Sequence, residues 1–239
     1  MLNKGYRILI FLSCFSGVLI GQEGNRNLIS NGSFEKFYKK DQRAFCNSWE
    51  FMNSVDYFST EYIIQDVWSK KATAPENFEG YQNAQDGNAY IGLVYIYYTY
   101  KFREFISTKL DTFMEKGAKY HLEFYISLSD SSKYFSNSII FWFSEDIKPV
   151  FYKNRLILDT DTPIILNNLN INKQDWTKVS YIYTAHGREK YFTIGNCLSC
   201  TTKKQYRKTI IDRRKAKKSN RPDNFIVYYF IDNVSLRKQ

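Results

Sequence analysis

The 239-residue chain carries a formal net charge of +10 and only 2 His, and hydrophobic residues make up 44% of it. That apolar share is enough for a core, while 4 Pro and 11 Gly exclude a low-complexity linker protein. Its 20 Tyr and 19 Phe favour strands over helices.

The N-terminus predicts a secretion signal over residues 1–21, followed by one domain over residues 22–239. Lys4 and Arg7 form a short basic start, residues 8–20 are apolar, and Gly21 offers a small residue for cleavage before Gln22. The apolar run is shorter than the roughly 20 residues a bilayer needs, and no second run of that length follows. Leu12-Ser13-Cys14 offers a lipoprotein reading instead, with little apolar sequence ahead of the cysteine. Either way the chain is expected to be exported, to the periplasm, the outer membrane surface or the outside.

Cleavage leaves Cys46, Cys197 and Cys200, and an exported protein can form disulfides. Three cysteines allow one pair and one leftover. Cys197-Leu198-Ser199-Cys200 has the spacing of a redox motif or of half a zinc site, but no second such pair exists. A plain disulfide is expected, either local or linked to Cys46.

Residues 46–80 read as an irregular stretch holding Trp49, Trp68, Pro75 and Gly80, the kind of long loop that carries binding function on a β scaffold. Residues 88–100 are β-rich on both faces, as in a buried or curved strand. Tyr120, Leu122, Phe124, Ile126 and Leu128 alternate with His121, Glu123, Tyr125 and Ser127, the period of two that marks a strand. Ile139, Phe141 and Phe143 make another apolar face with Trp142 opposite. Residues 159–172 read as an Asn- and Asp-rich loop. Residues 177–184 and 191–194 read as two strands joined by a hairpin turn at Ala185-His186-Gly187-Arg188, and residues 225–231 as the last strand. No long amphipathic helix and no repeat is evident. The fold class is therefore all-β, a sandwich of two antiparallel sheets. Leu122, Phe124, Ile126, Ile139, Phe141, Phe143, Val179 and Tyr181 are expected to face inward.

The charge sits in one place. Between residues 203 and 221 lie Lys203, Lys204, Arg207, Lys208, Arg213, Arg214, Lys215, Lys217, Lys218 and Arg221 against the single acid Asp212. This segment predicts a protruding loop before the last strand that binds anionic polymers weakly, or is merely solvated. No nucleophile elbow, zinc-protease motif or phosphate loop is present, and His186 reads as a turn residue, so no enzyme is expected. Tyr125, Trp142, His121 and Glu123 on the outward face of the central strands are the candidate ligand-binding residues. Aromatic rings stack on sugar faces, while carboxylates and amides take the hydroxyls. The alternative is that these rings serve as packing under the loops.

Three pieces resemble a known family. They are Asn27-Leu28-Ile29-Ser30-Asn31-Gly32-Ser33-Phe34-Glu35, Asp175-Trp176 with the strands after it, and Phe230-Ile231-Asp232-Asn233-Val234-Ser235-Leu236. Together they look like the carbohydrate-binding-module-like jelly rolls of the galactose-binding superfamily. With Phe78-Glu79-Gly80-Tyr81-Gln82, Gly87-Asn88-Ala89-Tyr90-Ile91-Gly92 and the 127–134 stretch, the version resembled is that of Bacteroidota cell-envelope proteins. There the domain often precedes an OmpA-like domain; this chain stops at Gln239 without one and adds the basic segment. The resemblance implies a jelly roll, a glycan or cell-envelope polysaccharide as partner, and a structural Ca2+ beside the first and last strands. Calcium takes about six to eight oxygens. Glu35 and Asp232 are the matching carboxylates, with Ser33 and Asn88 nearby to complete the shell. A structural or adhesive envelope protein without sugar binding is the second reading.

Overall fold

The structure, a computed structural model, describes residues 26–40, 43–61, 64–65, 71–97, 104–132, 135–146, 149–152, 155–158, 163–196 and 226–239. In chain order its strands are β1 (Phe37–Lys40), β2 (Arg43–Cys46), β3 (Trp49–Met52), β4 (Asp56–Ser59), β5 (Ile64–Gln65) and β6 (Lys71–Ala72). Next come β7 (Glu76–Asn77), β8 (Gly80–Tyr81), β9 (Ala89–Tyr97), β10 (Phe105–Lys109), β11 (Lys119–Leu128) and β12 (Ile139–Ser144). The last six are β13 (Pro149–Tyr152), β14 (Arg155–Leu158), β15 (Ile164–Leu166), β16 (Thr177–Thr184), β17 (Tyr191–Gly195) and β18 (Ile226–Lys238). No helix forms among the described residues.

Two five-stranded sheets make the body. The first runs β16-β11-β18-β9-β4 and the second β15-β12-β17-β10-β3, with every neighbour antiparallel. The chain is an all-β jelly-roll sandwich of two antiparallel sheets, as the sequence leads one to expect. Consecutive long strands alternate between the sheets: β9 lies in the first, β10 in the second, β11 in the first and β12 in the second.

The period of two in β11 decides which residues form the core. Leu122, Phe124 and Ile126 are fully buried and face Phe141, Phe143, Phe192 and Ile194 of the second sheet. Phe124 and Phe141 meet edge-on at 6.0 Å, Phe141 and Tyr181 at 5.6 Å, and Phe143 and Tyr183 tilt together at 4.3 Å. The expected inward set is inside: Val179 is buried and Tyr181 packs on the core while partly exposed. Each such ring or branched side chain contributes about 1.5–3 kcal/mol on burial.

The opening and closing motifs clasp one another. Leu28 N–H donates to Leu236 O at 2.8 Å, and Val234 N–H donates to Gly32 O at 2.9 Å. Asn27 Oδ1 accepts the Leu236 N–H at 2.8 Å. Gly32 is required there: a Cβ would stand 1.8 Å from Val234 O.

Four boundary expectations need correction. Residues 46–80 are not simply a loop, because β3 and β4 within them form an edge of each sheet. Trp49 is buried, its indole N–H bonded to Asn31 O. Within residues 159–172, β15 pairs with β12. The two strands around His186 are not a hairpin, since β16 and β17 belong to different sheets and the turn arches between them. The last strand runs on to Lys238, pairing with β9 over residues 226–231 and with β11 over residues 229–238, with one register shift on each side.

Candidate functional site

The outer face of the first sheet has two halves. Around β4, β9 and the start of β18 it carries Phe58, Tyr90, Tyr228 and Phe230, all buried. These rings form a second small core with Ala72 and Ala74, with Phe78, Ala84 and Trp176 packed against it. Tyr90 and Phe230 meet edge-on at 5.1 Å, and Phe58 tilts against Phe78 at 5.4 Å. Segment 72–85 is thus a lid fastened by apolar contact and by named hydrogen bonds. Asn77 Nδ2 donates to Tyr90 Oη at 2.8 Å, Ser127 Oγ donates to Gln82 Oε1, and Trp176 Nε1 donates to Asn83 O at 2.9 Å.

Over β16, β11 and the end of β18 the same face is partly exposed among the described residues. In one row lie Lys178, Tyr125 and the buried Asp232, in the next Ser180, Glu123 and the buried Ser235, and in the third Ile182, His121 and Arg237. Lys119 stands one step further along β11, opposite Thr184. Lys178 pairs with the Glu123 carboxylate, and His121 Nε2 shares a 2.6 Å hydrogen bond with Ser180 Oγ and lies 3.8 Å from Glu123. The Glu123 hydrogen bond raises the pKa of Lys178.

Of the four sequence-derived binding residues, three come together: His121, Glu123 and Tyr125 alternate along the open part of β11. Trp142 does not join them. It lies on the outer face of the second sheet, the far side of the sandwich, where it is buried edge-on against Phe105 at 5.7 Å. The indole on the side of Tyr125 is Trp176, half-buried at the rim between the open half and the lid. The sequence carried a faint signal for it: Trp176 sits two residues before Lys178, in step with the outward positions of β16.

The two expected metal carboxylates grip one turn. Glu35 Oε1 accepts the N–H groups of Asn88 (2.8 Å) and Ala89 (3.0 Å). Asp232 Oδ2 accepts those of Gln85 (2.8 Å) and Asp86 (3.1 Å), while Oδ1 accepts that of Asn233 (2.6 Å). The turn approaches so closely that a Cβ on Gly87, at φ +66, would stand 2.5 Å from the Glu35 carboxyl. Asp232 is fully buried, and desolvation pushes its pKa up to about 8 against the pull of those three N–H donors. A buried carboxylate with only N–H partners suits a cation, and both acids are hard oxygen donors of the kind Ca2+ takes. The residues therefore fit calcium in kind. Ser33 lies beside Glu35, partly buried. The Asn88 carbonyl already accepts the Thr60 N–H, so its amide, not its carbonyl, is what Asn88 brings to the Glu35 carboxylate. No group of three or more His, Cys, Asp or Glu is gathered among the described residues.

Cys46 is a buried thiol whose Sγ donates to Phe34 O at 3.9 Å. Burial pushes this thiol up, reinforced by the charges of Glu35 and Asp232. Cys197, Cys200, the basic segment and the signal segment lie outside the described residues. No helix among the described residues is long and apolar enough to cross a membrane. His186 is a turn residue as expected: its N–H, with those of Gly187 and Arg188, donates to the buried Glu189 carboxylate.

No family model matches the chain, and no curated protein matches it. Among solved structures it is similar to the CBM22-1 and GH10 modules of a Clostridium thermocellum endo-1,4-beta-D-xylanase complexed with xylohexaose, at 8% identity and TM-score 0.44, over 89% of this chain and 28% of that one. It is similar to a CBM22-1 xylan-binding domain from Paenibacillus barcinonensis, at 11% identity and TM-score 0.41, over 90% and 96% of the two chains. It is also similar to a Stig cyclase from Fischerella sp. TAU, at 14% identity and TM-score 0.48, over 90% and 98%. The chain thus spans little more than a quarter of the xylanase chain and nearly all of the other two.

Proposed function

We propose that this chain is an exported, non-catalytic module that binds glycans on the open half of the first sheet's outer face. The observation that carries this reading is that half the face is sealed by its own lid, while the other half is partly exposed around Tyr125, with no described segment laid across it as the lid is. Tyr125 supplies a ring for the apolar face of a sugar, and Glu123, His121, Ser180 and Lys178 supply acceptors and donors for hydroxyls. Trp176 borders the platform at the lid. Export rests on the signal-like residues 1–21. Testing the mature protein on a glycan array and titrating the best ligand into Tyr125→Ala is the direct experiment. Loss of affinity by about tenfold or more is expected, since a stacked ring contributes roughly 1–2 kcal/mol. Unchanged affinity removes the platform from the reading.

A structural Ca2+ held by Glu35, Asp232 and oxygens near Ser33 and Asn88 belongs to the same proposal. Its chemistry would be to neutralise the buried Asp232 carboxylate and bind the 85–88 turn to the last strand. A chelator should lower the melting temperature, and the Glu35→Ala/Asp232→Ala variant should lose that response. An identical melting curve with and without chelator counts against the site. The basic segment at 203–221 is proposed as a separate, salt-sensitive contact to anionic polymers; replacing it with a Gly/Ser linker should abolish that contact and leave folding intact.

The second reading, a structural or adhesive envelope protein, is favoured by one fact. Glu123 with Lys178, and His121 with Ser180, satisfy one another already. An array blank for every glycan would select it.

A further inference from the structure

We infer that the open face selects polysaccharides carrying carboxylate groups over neutral ones. This rests on the glycan-binding reading and names the class of glycan. Three strands contribute fixed cations to the face: Lys178 from β16, Lys119 from β11 and Arg237 from β18, with His121 between the last two. Two carboxylates lie among these rows: Asp232, fully buried, and Glu123, partly buried and engaged by Lys178. The face is thus net positive even with His121 neutral.

Asp56 of β4, partly buried, accepts the Tyr228 hydroxyl at 2.6 Å. Asp232 lies beneath the turn at 85–86. The other strand carboxylates of this face, Asp56 and Asp232, are thus each engaged in hydrogen bonds, while Lys178 and Lys119 stay exposed and Arg237 partly so. From Tyr125 to Lys119 the stripe runs along β11 for ~20 Å, which suits an extended chain better than a single sugar. Arg237 offers the planar fork that matches a carboxylate at two points, and Lys178 stands in register with Tyr125, so that a ring stacked on Tyr125 brings its carboxylate to an ammonium.

The test uses polygalacturonate and alginate, each against its own carboxyl-esterified form, which keeps the backbone and removes the charge. Titrations are run on the mature protein and on a version with residues 203–221 replaced by a Gly/Ser linker, so that the basic segment cannot stand in for the face. In both proteins, affinity for at least one acidic polymer should exceed that for its ester by about tenfold or more. In the linker version, Lys178→Gln/Arg237→Gln should erase most of that preference, and Tyr125→Ala should weaken acid and ester together; melting curves check that each variant is folded. Equal affinity for acid and ester overturns the inference and leaves the glycan reading standing. Preference lost with the linker alone and insensitive to Lys178→Gln/Arg237→Gln also overturns it. Equal binding of dextran sulfate or duplex DNA reduces it to general anion attraction. No binding of any glycan removes both.

Discussion

The two halves of the first sheet's outer face are built on the same backbone and meet opposite fates. β9 and the start of β18 present Tyr90, Tyr228 and Phe230 outward, and the chain folds a lid over them. β11 and the end of β18 present His121, Glu123 and Arg237 outward, and these stay partly exposed. The difference lies in the outward side chains: large rings give the lid's own Ala72, Ala74 and Phe78 an apolar surface to pack against, and each ring so buried contributes about 1.5–3 kcal/mol toward ordering the lid. Where the outward set is polar, no such drive exists, and the face stays available.

The sharpest way to break this contrast is to truncate a ring on each half. Phe230→Ala, in contact with Phe58, Tyr90 and Tyr228, should cost about 3–5 kcal/mol in denaturant unfolding. Tyr125→Ala on the open half should cost under about 1 kcal/mol. Comparable losses would mean that the open half is as much core as the sealed one. Next in size, Glu189→Ala removes the acceptor for Tyr183 Oη and three backbone N–H groups and should cost about 2–3 kcal/mol. Burial raises the pKa of Glu189, but those donors outweigh it and hold it below its ordinary value. Its stabilisation is therefore present above the unfolded carboxylate value and lost as pH falls through the folded one. The gap between Glu189→Ala and the parent should narrow in acid.

Glu104 behaves in the opposite sense. Burial lifts its pKa to about 7, so the folded state keeps the proton longer than the unfolded chain. The stability so conferred is complete below the unfolded value near ~4.3 and disappears as pH rises through about 7. Melting temperatures across that window should fall for the parent and stay flatter for Glu104→Gln; parallel curves would show that Glu104 is ionised throughout. The smallest effect concerns Cys46, whose buried thiol should resist alkylation in the native protein and react at once in denaturant.

What the sequence made legible follows from alternation. Period two sorted Leu122, Phe124 and Ile126 from His121, Glu123 and Tyr125 without error, and the two-faced apolar character of residues 88–100 foretold that β9 is buried on both sides. Alternation does not say which sheet a strand joins. Trp142 is opposite Phe141 and Phe143, as its position requires, but β12 lies across the sandwich from β11, so the outward side of one is remote from the outward side of the other. The same blindness made β16 and β17 look like a hairpin. Trp176 stands just ahead of the first residue of its strand, so only its step of two before Lys178 marks it as an outward neighbour of Tyr125. Asp232 was singled out by resemblance, but its clamp on Gln85 and Asp86 spans more than a hundred residues, and no local pattern carries such a contact.

One further consequence follows from the place of β18. It stands in the middle of the first sheet, and β9 and β11 on either side of it touch no common partner but this strand. Until residues 226–238 arrive, the half-sheets β4–β9 and β11–β16 have inner edges that match each other only through a missing centre. The protein is therefore a natural split system: a fragment lacking residues 226–239 should present an empty slot, and a synthetic peptide of that sequence should complete it in trans, as a donated strand completes an open sheet.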